Sequence, residues 1–251
     1  MSVPTRPGIR PETLAKAGVI YTDTPEPGSI LIPYFDIRGE RTSHYRVRLP
    51  DWSPTGHKYW QPPDSGYIAW LPPEPLKPSG DLYGVEGEFK GQSLYEEGFQ
   101  VIAFPGLFCY RSDELDADGG RKLLPELIEA IKIVQPKRFI FIGDADTSHN
   151  FEFSRSAHFL GQALQKGGIK VLLPRLPADG PKGIDDFKAA HPDDFTTQFK
   201  ALMEEAIVVP QSDSIAALMA VLIENQKANL LKLERGKLED RLFKVATAAA
   251  L

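Results

Sequence analysis

The stretch Phe139-Ile-Phe-Ile-Gly-Asp-Ala-Asp146 decides the fold class of this chain. Its first four residues are all apolar, which is typical of a strand buried on both faces, as in a parallel sheet. Patterns typical of helices flank it, over 123–133 and 151–166. The stretch therefore predicts a layered α/β structure in which two aspartates follow a central strand directly.

The same alternation of strands and helices continues on both sides of this stretch. Further strands are predicted over 82–85, 100–104 and 169–173, and further helices over 91–97 and 193–206. Such alternation favours a mostly parallel, Rossmann-like sheet with right-handed crossovers and helices on its faces. We assign this α/β domain to residues 81–206.

Residues 1–80 have a different composition, since they contain 14 of the 22 prolines. A short helix is predicted over 12–17 and two strands over 30–35 and 42–49, with a hairpin turn between them. Alternation along the second strand places His44, Arg46 and Arg48 on one face. We therefore predict a small α+β N-terminal subdomain, joined to the α/β domain by a proline-rich linker.

Residues 207–251 form the third predicted part, a C-terminal helical segment. Ser212 or Asp213 is suited to cap its N-terminus. Leu218, Leu222 and Leu233 recur at helical spacing, but polar residues interrupt both heptad registers. The pattern indicates an amphipathic helix or helix pair rather than a coiled coil.

Composition excludes several classes of protein. The chain of 251 residues has one cysteine, Cys109, which excludes a disulfide framework and a cysteine-based zinc site and fits a reducing compartment. No apolar run reaches the length of about 18 residues that a membrane span needs, and no signal-peptide pattern is present. We therefore expect a cytoplasmic protein. The net charge of −5 arises in residues 81–206, which carry 14 basic and 21 acidic side chains.

Acidic residues follow three of the predicted strands, where ligands bind in open α/β sheets. They are Glu86, the pair Asp144 and Asp146, and the pair Asp185 and Asp186. Like charges brought together need a cation, and Mg²⁺ prefers carboxylate oxygens and water. We expect Gly87 and Gly143 to let a phosphate or metal approach the backbone.

A purely structural interpretation of some of these residues stays open. Glu88 and Asp186 suit the first turns of helices, where acids are favourable. We interpret His149 and His158 as a loop residue and a helix-face residue rather than as metal ligands.

Three short motifs resemble those of the Toprim domain, which is shared by bacterial primases, topoisomerases, some nucleases and recombination mediators. They are Val85-Glu-Gly87, Asp144-Ala-Asp146 and Lys182-Gly-Ile-Asp-Asp186, in this order along the α/β alternation. Glu86-Gly-Glu-Phe-Lys90 and the third motif most resemble a Toprim-like family of phage, plasmid and integrative-element proteins. Members of that family are often fused to a helicase or encoded beside one.

The resemblance implies a role for each matching residue. Glu86 would act as general acid or base and would join Asp144, Asp146 and Asp185 in holding Mg²⁺, for which Mn²⁺ would substitute. Lys182 and Lys90 would contact phosphate, although a solvated loop lysine is an equally good interpretation of Lys182.

Basic and aromatic residues are interleaved between residues 38 and 60. This stretch holds five basic and two acidic side chains, together with Tyr45, Trp52, Tyr59 and Trp60. Phosphate pairing and base stacking by such residues suit single-stranded nucleic acid, with Arg46, Arg48 and Lys58 as the contacts. The alternative is a solvated strand face whose aromatic side chains point into the core. Residues 30–39 and 56–63 also resemble the basic subdomain that precedes Toprim in bacterial-type primase cores.

Three functions follow from these patterns. The first is a Mg²⁺-dependent, primase-like nucleotidyltransferase that uses nucleoside triphosphates on single-stranded DNA, in DNA replication of a mobile genetic element, with a replicative helicase as partner. The second is a Toprim nuclease that hydrolyses phosphodiesters with the same acids. The third is a non-catalytic, DNA-binding adaptor whose helical tail docks a helicase.

Overall fold

The computed structural model describes residues 2–115, 117, 119–147 and 150–211. The predicted helical tail from residue 212 onward and the predicted loop residue His149 lie outside the described residues. The chain divides into two compact units, residues 1–136 and residues 137–251, and each is described here by itself. The predicted boundaries at residues 80 and 206 stay predictions.

The first unit begins with a short helix and a four-stranded antiparallel sheet with the strand order β1-β2-β3-β4. These elements are α1 (Pro11–Lys16), β1 (Ile20–Thr22), β2 (Ser29–Phe35), β3 (Arg41–Arg48) and β4 (Tyr59–Trp60). Helix α1 starts at Pro11, whose missing N–H costs nothing in a first turn, and Gly18 follows its end at a φ of +64°. The predicted helix and both predicted strands are therefore present, whereas β1 and β4 were not predicted.

The sheet register determines which side chains share a face. Ile32 pairs with Arg46 across β2 and β3, while Ile30 pairs with Arg48, which in turn lies opposite Tyr59. Paired residues point to the same side of a sheet, so these side chains form one face. The predicted common face of His44, Arg46 and Arg48 is thus present. It is the inward face, because His44 and Arg46 are each only 9% exposed.

The second half of the first unit contains a parallel strand pair bridged by a helix. Its elements are β5 (Asp81–Glu86), α2 (Glu88–Glu96), β6 (Val101–Phe104), β7 (Arg111–Leu115), β8 (Arg121–Leu123) and α3 (Pro125–Val134). Strands β5 and β6 are parallel, with Glu86 opposite Phe104. Helix α2 packs closely on β6, since a Cβ on Gly91 would lie 2.8 Å from that of Ala103.

The second unit holds the strand with which the sequence analysis began. Its elements are β9 (Arg138–Ile142), α4 (Phe151–Gln165), β10 (Lys170–Leu173), α5 (Ile184–Ala190), α6 (Phe195–Glu204) and β11 (Ile207–Val208). Strands β9 and β10 are parallel, and β11 pairs antiparallel with β10. The four apolar residues 139–142 are all buried, as expected for a strand covered on both faces.

The observed architecture confirms the predicted α/β fold class, with parallel strands and flanking helices. Besides β1 and β4, three features were not predicted: the β7–β8 hairpin, helix α5 and the edge strand β11. Within the described part of the chain, no helix is both long and apolar enough to cross a membrane.

Candidate functional site

Glu86 lies at the carboxyl end of β5, as predicted, and its side chain is exposed. The next residue, Gly87, has a φ of +96°, which side-chain-bearing residues rarely adopt. Its N–H donates to the carbonyl oxygen of Phe104 at 2.8 Å. The turn from strand to helix therefore depends on glycine geometry and is tied to β6.

Glu88, the first residue of α2, is only 1% exposed. Its Oε1 accepts a hydrogen bond from the hydroxyl of Tyr34 at 2.6 Å and one from the guanidinium of Arg46, also at 2.6 Å. The guanidinium carbon of Arg46 lies 4.4 Å from the ring centroid of Tyr59. The N-terminal sheet and the start of α2 are therefore joined by a buried ion pair, which we call the Glu88–Arg46 pair.

The shifted pKa values of the titratable groups around this pair favour their neutral forms. Burial, helped by the charge of Glu88, raises the pKa of Tyr34 well above its ordinary value. Burial also raises the pKa of Tyr59 and, with Arg46, lowers the pKa of His44. At neutral pH the Tyr34 hydroxyl is thus a hydrogen-bond donor, and the charges of Glu88 and Arg46 balance each other.

This arrangement removes Arg46 from the predicted DNA-contacting surface. The Arg46 side chain is 10% exposed, and its guanidinium is paired with Glu88. A phosphate therefore cannot contact Arg46 without breaking this ion pair. Arg48 is 23% exposed and lies 3.3 Å from Asp51, while Lys58 is exposed. Contact of these two cations with DNA stays a prediction.

The aromatic residues of the same stretch also separate by environment. Trp52, between β3 and β4, is 64% exposed, whereas Tyr45 and Trp60 are half-buried with their ring centroids 6.0 Å apart. Tyr59 lies beneath Arg46. Of the four, Trp52 is therefore the ring most accessible to a base.

The second and third motifs meet in the second unit. Ala145, between the two aspartates, donates its N–H to the carbonyl oxygen of Lys182 at 2.8 Å. The Lys182 ammonium lies 3.9 Å from Oδ2 of Asp144, and the two side chains are 72% and 23% exposed. The structure thus brings Asp144 and Lys182 together at the end of β9, a contact that spacing along the chain does not reveal.

Asp146 is exposed, and its Oδ2 accepts a hydrogen bond from the Asn150 amide at 3.3 Å. Asn150 also caps α4, since its Oδ1 accepts from the N–H of Phe153. Asp146 is therefore oriented by the N-cap residue of the helix that follows it.

Gly143 has a different role from the one expected. A Cβ at this position would lie 2.5 Å from the ring of Phe153 and would also overlap the hydroxyl of Thr147. The space on the Cβ side of Gly143 is therefore filled by Thr147 of the same loop and by Phe153 of α4, and a phosphate or metal cannot enter from that side. At Gly87, in contrast, a Cβ would meet nothing within 4 Å, so open space is present there.

The acids of the third motif lie in the first turn of α5. Asp185 is 7% exposed, while Asp186 accepts a hydrogen bond from the N–H of Gly183 at 3.4 Å. Asp186 is therefore a capping residue, in agreement with its structural interpretation. His158 is 2% exposed within α4 and packs edge-on against Phe159, so it is the helix residue that was predicted.

Cys109 is a feature that sequence reasoning did not connect with the site. Its thiol is half-buried, and burial raises its pKa to about 11. The charge of Arg46 acts to lower this pKa and the charge of Glu86 acts to raise it. The thiol is thus protonated at neutral pH and lies within electrostatic range of both residues.

Lys90, in the first turn of α2, is half-buried.

The described residues offer a small set of oxygen donors for a metal ion. Among the residues that the structure describes, no group of three or more His, Cys, Asp or Glu side chains is arranged to hold one. Asp144 and Asp146 nevertheless supply oxygen ligands, and their exposure leaves room for water. That combination suits Mg²⁺, which keeps several waters and takes few carboxylates.

Comparisons with known proteins give a family model that matches part of the chain, and a fold. A family model described as a domain of unknown function (DUF3854) matches residues 77–194. No curated protein matches the chain. Residues 77–194 contain all three motifs.

Solved structures of primases resemble the chain. The primase fragment of the bacteriophage T7 primase-helicase protein matches with a TM-score of 0.52 and 18% identity, covering 78% of this chain and 73% of that one. The DnaG primase catalytic domain bound to ssDNA matches with a TM-score of 0.50 and 15% identity, covering 94% and 77%.

A longer primase is also similar. The zinc-binding and RNA polymerase domains of the Aquifex aeolicus primase match with a TM-score of 0.49 and 17% identity over 96% of this chain. This chain spans 58% of the length of that protein. At these identities the first two matches show that the chain has the α/β fold of primase catalytic domains.

Proposed function

We propose that this chain is the core of a primase-like nucleotidyltransferase that synthesises primers on single-stranded DNA. The observation that carries the proposal is the contact between the second and third motifs, in which Ala145 and Asp144 meet the backbone and side chain of Lys182. In a fold of the primase type, two carboxylates and a lysine near a strand end support a ligand site there.

Glu86, Asp144 and Asp146 are the proposed catalytic acids and, with Asp185, the proposed holders of Mg²⁺. Bound Mg²⁺ would neutralise the triphosphate and activate the attacking 3′ oxygen. The assignment is supported by the chemistry of the donors, which are all oxygens, and by the exposure of Glu86 and Asp146. Asp185 is the most enclosed of the four.

Lys182 is the proposed phosphate-binding residue. Its ammonium lies near Asp144 but is 72% exposed, so it can turn to a triphosphate while its backbone stays hydrogen-bonded to Ala145. Lys90 is a second candidate for the same role. A lysine on such a loop acts as a mobile point charge rather than as a rigid fork.

Arg48, Lys58 and Trp52 are the proposed contacts for the DNA strand. Two cations and an exposed aromatic ring on neighbouring strands and their loop provide phosphate pairing and base stacking. Trp52 is also a natural reporter, because Trp70 is fully buried and Trp60 is half-buried. Quenching of its fluorescence by oligothymidylate would measure binding at this loop.

We further propose that the protein serves DNA replication of a mobile genetic element beside a replicative helicase, fused or separate, in the cytoplasm. This proposal rests on the resemblance of residues 86–90 and 182–186 to the Toprim-like proteins of phages and plasmids.

The test is primer synthesis on single-stranded DNA with nucleoside triphosphates and either Mg²⁺ or Mn²⁺. The expected result is metal-dependent synthesis that is lost in Asp144→Ala plus Asp146→Ala. Asp193→Ala, at an exposed residue of the same unit, is the control and should keep full activity.

Other outcomes would overturn the proposal. Unchanged synthesis in the double variant would exclude the two aspartates as the site. Metal-dependent cleavage of DNA without nucleotides would show a nuclease instead. DNA binding that survives loss of the acids, without synthesis or cleavage by the unmodified protein, would show an adaptor.

A further inference from the structure

We propose that Glu88 and Arg46 are positioning residues that hold Glu86 in its working orientation. This inference rests on the proposed function, in which Glu86 is a catalytic acid. It assigns to the buried pair a task at the reaction centre, in addition to joining the sheet to the helix.

Glu86 is held from both sides along the chain. Up to Glu86 itself, β5 pairs with β6, and the N–H of Gly87 continues this pairing to the carbonyl oxygen of Phe104. On its C-terminal side, Glu88 is fixed by two hydrogen bonds of 2.6 Å. A chain advances at most about 3.6 Å per residue, so fixing Glu88 confines the backbone of Glu86.

Glycine makes this restraint necessary. Gly87 separates the two glutamates, and it has no side chain to limit its own rotation. A Cβ there would touch nothing within 4 Å, so the restraint on Gly87 comes from its backbone, whose N–H donates to Phe104 and whose carbonyl oxygen accepts from the N–H of Gly91 at 3.2 Å. The orientation of Glu86 therefore depends both on this link to β6 and on what anchors Glu88, the residue after the glycine.

The anchor joins three strands of the N-terminal sheet to α2. Tyr34 belongs to β2, Arg46 to β3, and Tyr59, which stacks on Arg46, to β4. Tyr34 and Arg46 lie on the same face because Ile32, two residues before Tyr34, pairs with Arg46. Both donate to the same oxygen of Glu88, so sliding the sheet past the helix would break both hydrogen bonds.

Stability alone is a weak reason for this pair. Replacing a buried ion pair by apolar residues of similar volume is often neutral or stabilising, whereas directional hydrogen bonds define a geometry that apolar contacts do not. The inner face of α2 is unusually polar, since Gln92 and Ser93 are fully buried along with Glu88. Phe89 and Leu94 of the same helix are buried as well, and the two hydrogen bonds of Glu88 add a direction that these apolar contacts lack.

The first measurement is steady-state primer synthesis by Glu88→Gln and by Tyr34→Phe. A small displacement of a catalytic group costs up to about 10²-fold, so we expect kcat to fall between about tenfold and 10²-fold in Glu88→Gln, and less in Tyr34→Phe. The KM for nucleotides and the affinity for oligothymidylate should stay within about twofold, because neither ligand contacts Glu88.

Glu114→Gln is the matched control. It makes the same chemical change in an ion pair with Lys122, at 3.0 Å, that is exposed on the β7–β8 hairpin. It should leave kcat unchanged. Equal losses in kcat and in DNA affinity in Glu88→Gln would indicate a general loss of structure and would overturn the inference.

The second measurement needs no enzymatic activity. Cys109 is the single cysteine, and its thiol responds to the charge of Glu86. Glu86→Gln should therefore speed its alkylation by iodoacetamide at pH 8.5 in metal-free buffer. If Glu88 positions Glu86, this acceleration should change at least about twofold when both proteins also carry Glu88→Gln.

The outcomes separate the two proposals. An identical acceleration in both backgrounds would overturn the positioning role. An altered acceleration in a protein that synthesises no primers would overturn the proposed function and support the positioning of Glu86. If Glu88→Gln does not fold, Tyr34→Phe takes its place in the same four-protein comparison.

Discussion

Glu88 and Asp144 occupy similar places in the chain and opposite environments in the fold. Each comes two residues after the last residue of a strand of an α/β unit. Glu88 is 1% exposed and bonded at 2.6 Å to Arg46, whereas the side chain of Asp144 is 23% exposed and 3.9 Å from Lys182. The Glu88 carboxylate is held in a buried ion pair with Arg46. The Asp144 carboxylate is accessible enough to exchange Lys182 for a ligand.

The comparison distinguishes Glu88, an acid that the folded structure needs, from Asp144, an acid that stays accessible for catalysis. Leaving one charge of a buried pair without its partner is costly, whereas an exposed pair contributes little to stability. Changes at the Glu88–Arg46 pair should therefore alter unfolding first. Changes at Asp144 and Lys182 should alter activity first.

Arg46→Ala should have the largest effect on stability. It leaves Glu88 buried without its cation, and we expect the free energy of unfolding to fall by about 3–5 kcal/mol, measured by urea denaturation. The double variant Arg46→Met plus Glu88→Leu should recover most of that loss. If Arg46→Ala unfolds like the unmodified protein, the pair is not buried as described.

Asp144→Asn should have the largest effect on activity. A side chain of the same size without charge should reduce primer synthesis on the order of 10²–10³-fold, as expected for the loss of several kcal/mol of stabilisation of the transition state. The unfolding midpoint should change little, because the Asp144 side chain is 23% exposed and its ion pair with Lys182 is solvated. If Asp144→Asn lost as much stability as Arg46→Ala, the difference between Glu88 and Asp144 would be contradicted.

Local sequence patterns predicted some elements of the fold and missed others. Apolar runs and their spacing predicted β5, β6, β9, β10 and the helices between them, since burial in a layered fold leaves a periodic signature. The β7–β8 hairpin was not predicted because its strands are charged and mostly exposed, with ion pairs such as Arg121–Asp113 across it. The strands β1, β4 and β11 are too short to show a periodic pattern of apolar residues.

Alternation along β3 predicted correctly that Arg46 and Arg48 share a face, but not that this face is buried. A buried arginine is stable only with a partner, and here the partner lies 42 residues away in sequence. The contact between Asp144 and Lys182 was equally out of reach, because it depends on how two loops meet. The positions of Glu86, Asp144 and Asp146 at strand ends, in contrast, follow directly from local patterns.

Gly143→Ala and Gly87→Ala test the two loops that follow the strands. At Gly143 the added methyl group would collide with Phe153 and Thr147, and we expect a loss of about 1–3 kcal/mol in unfolding free energy. At Gly87 nothing is in the way, so the cost is that of the backbone conformation alone, about 1–2 kcal/mol. Thr147→Ala should relieve part of the first loss and none of the second.

Lys182→Gln should have the smallest effect on stability and a selective effect on activity. The exposed pair with Asp144 is worth at most about 1 kcal/mol, so the unfolding midpoint should barely move. If Lys182 binds the triphosphate, its loss should raise the KM for nucleotides severalfold and leave the affinity for oligothymidylate unchanged. Lys200→Gln, at an exposed lysine of α6, is the control. An unchanged KM would mean that Lys182 has a structural role and does not bind the triphosphate. Its backbone contact with Ala145 does not depend on the charge of its side chain.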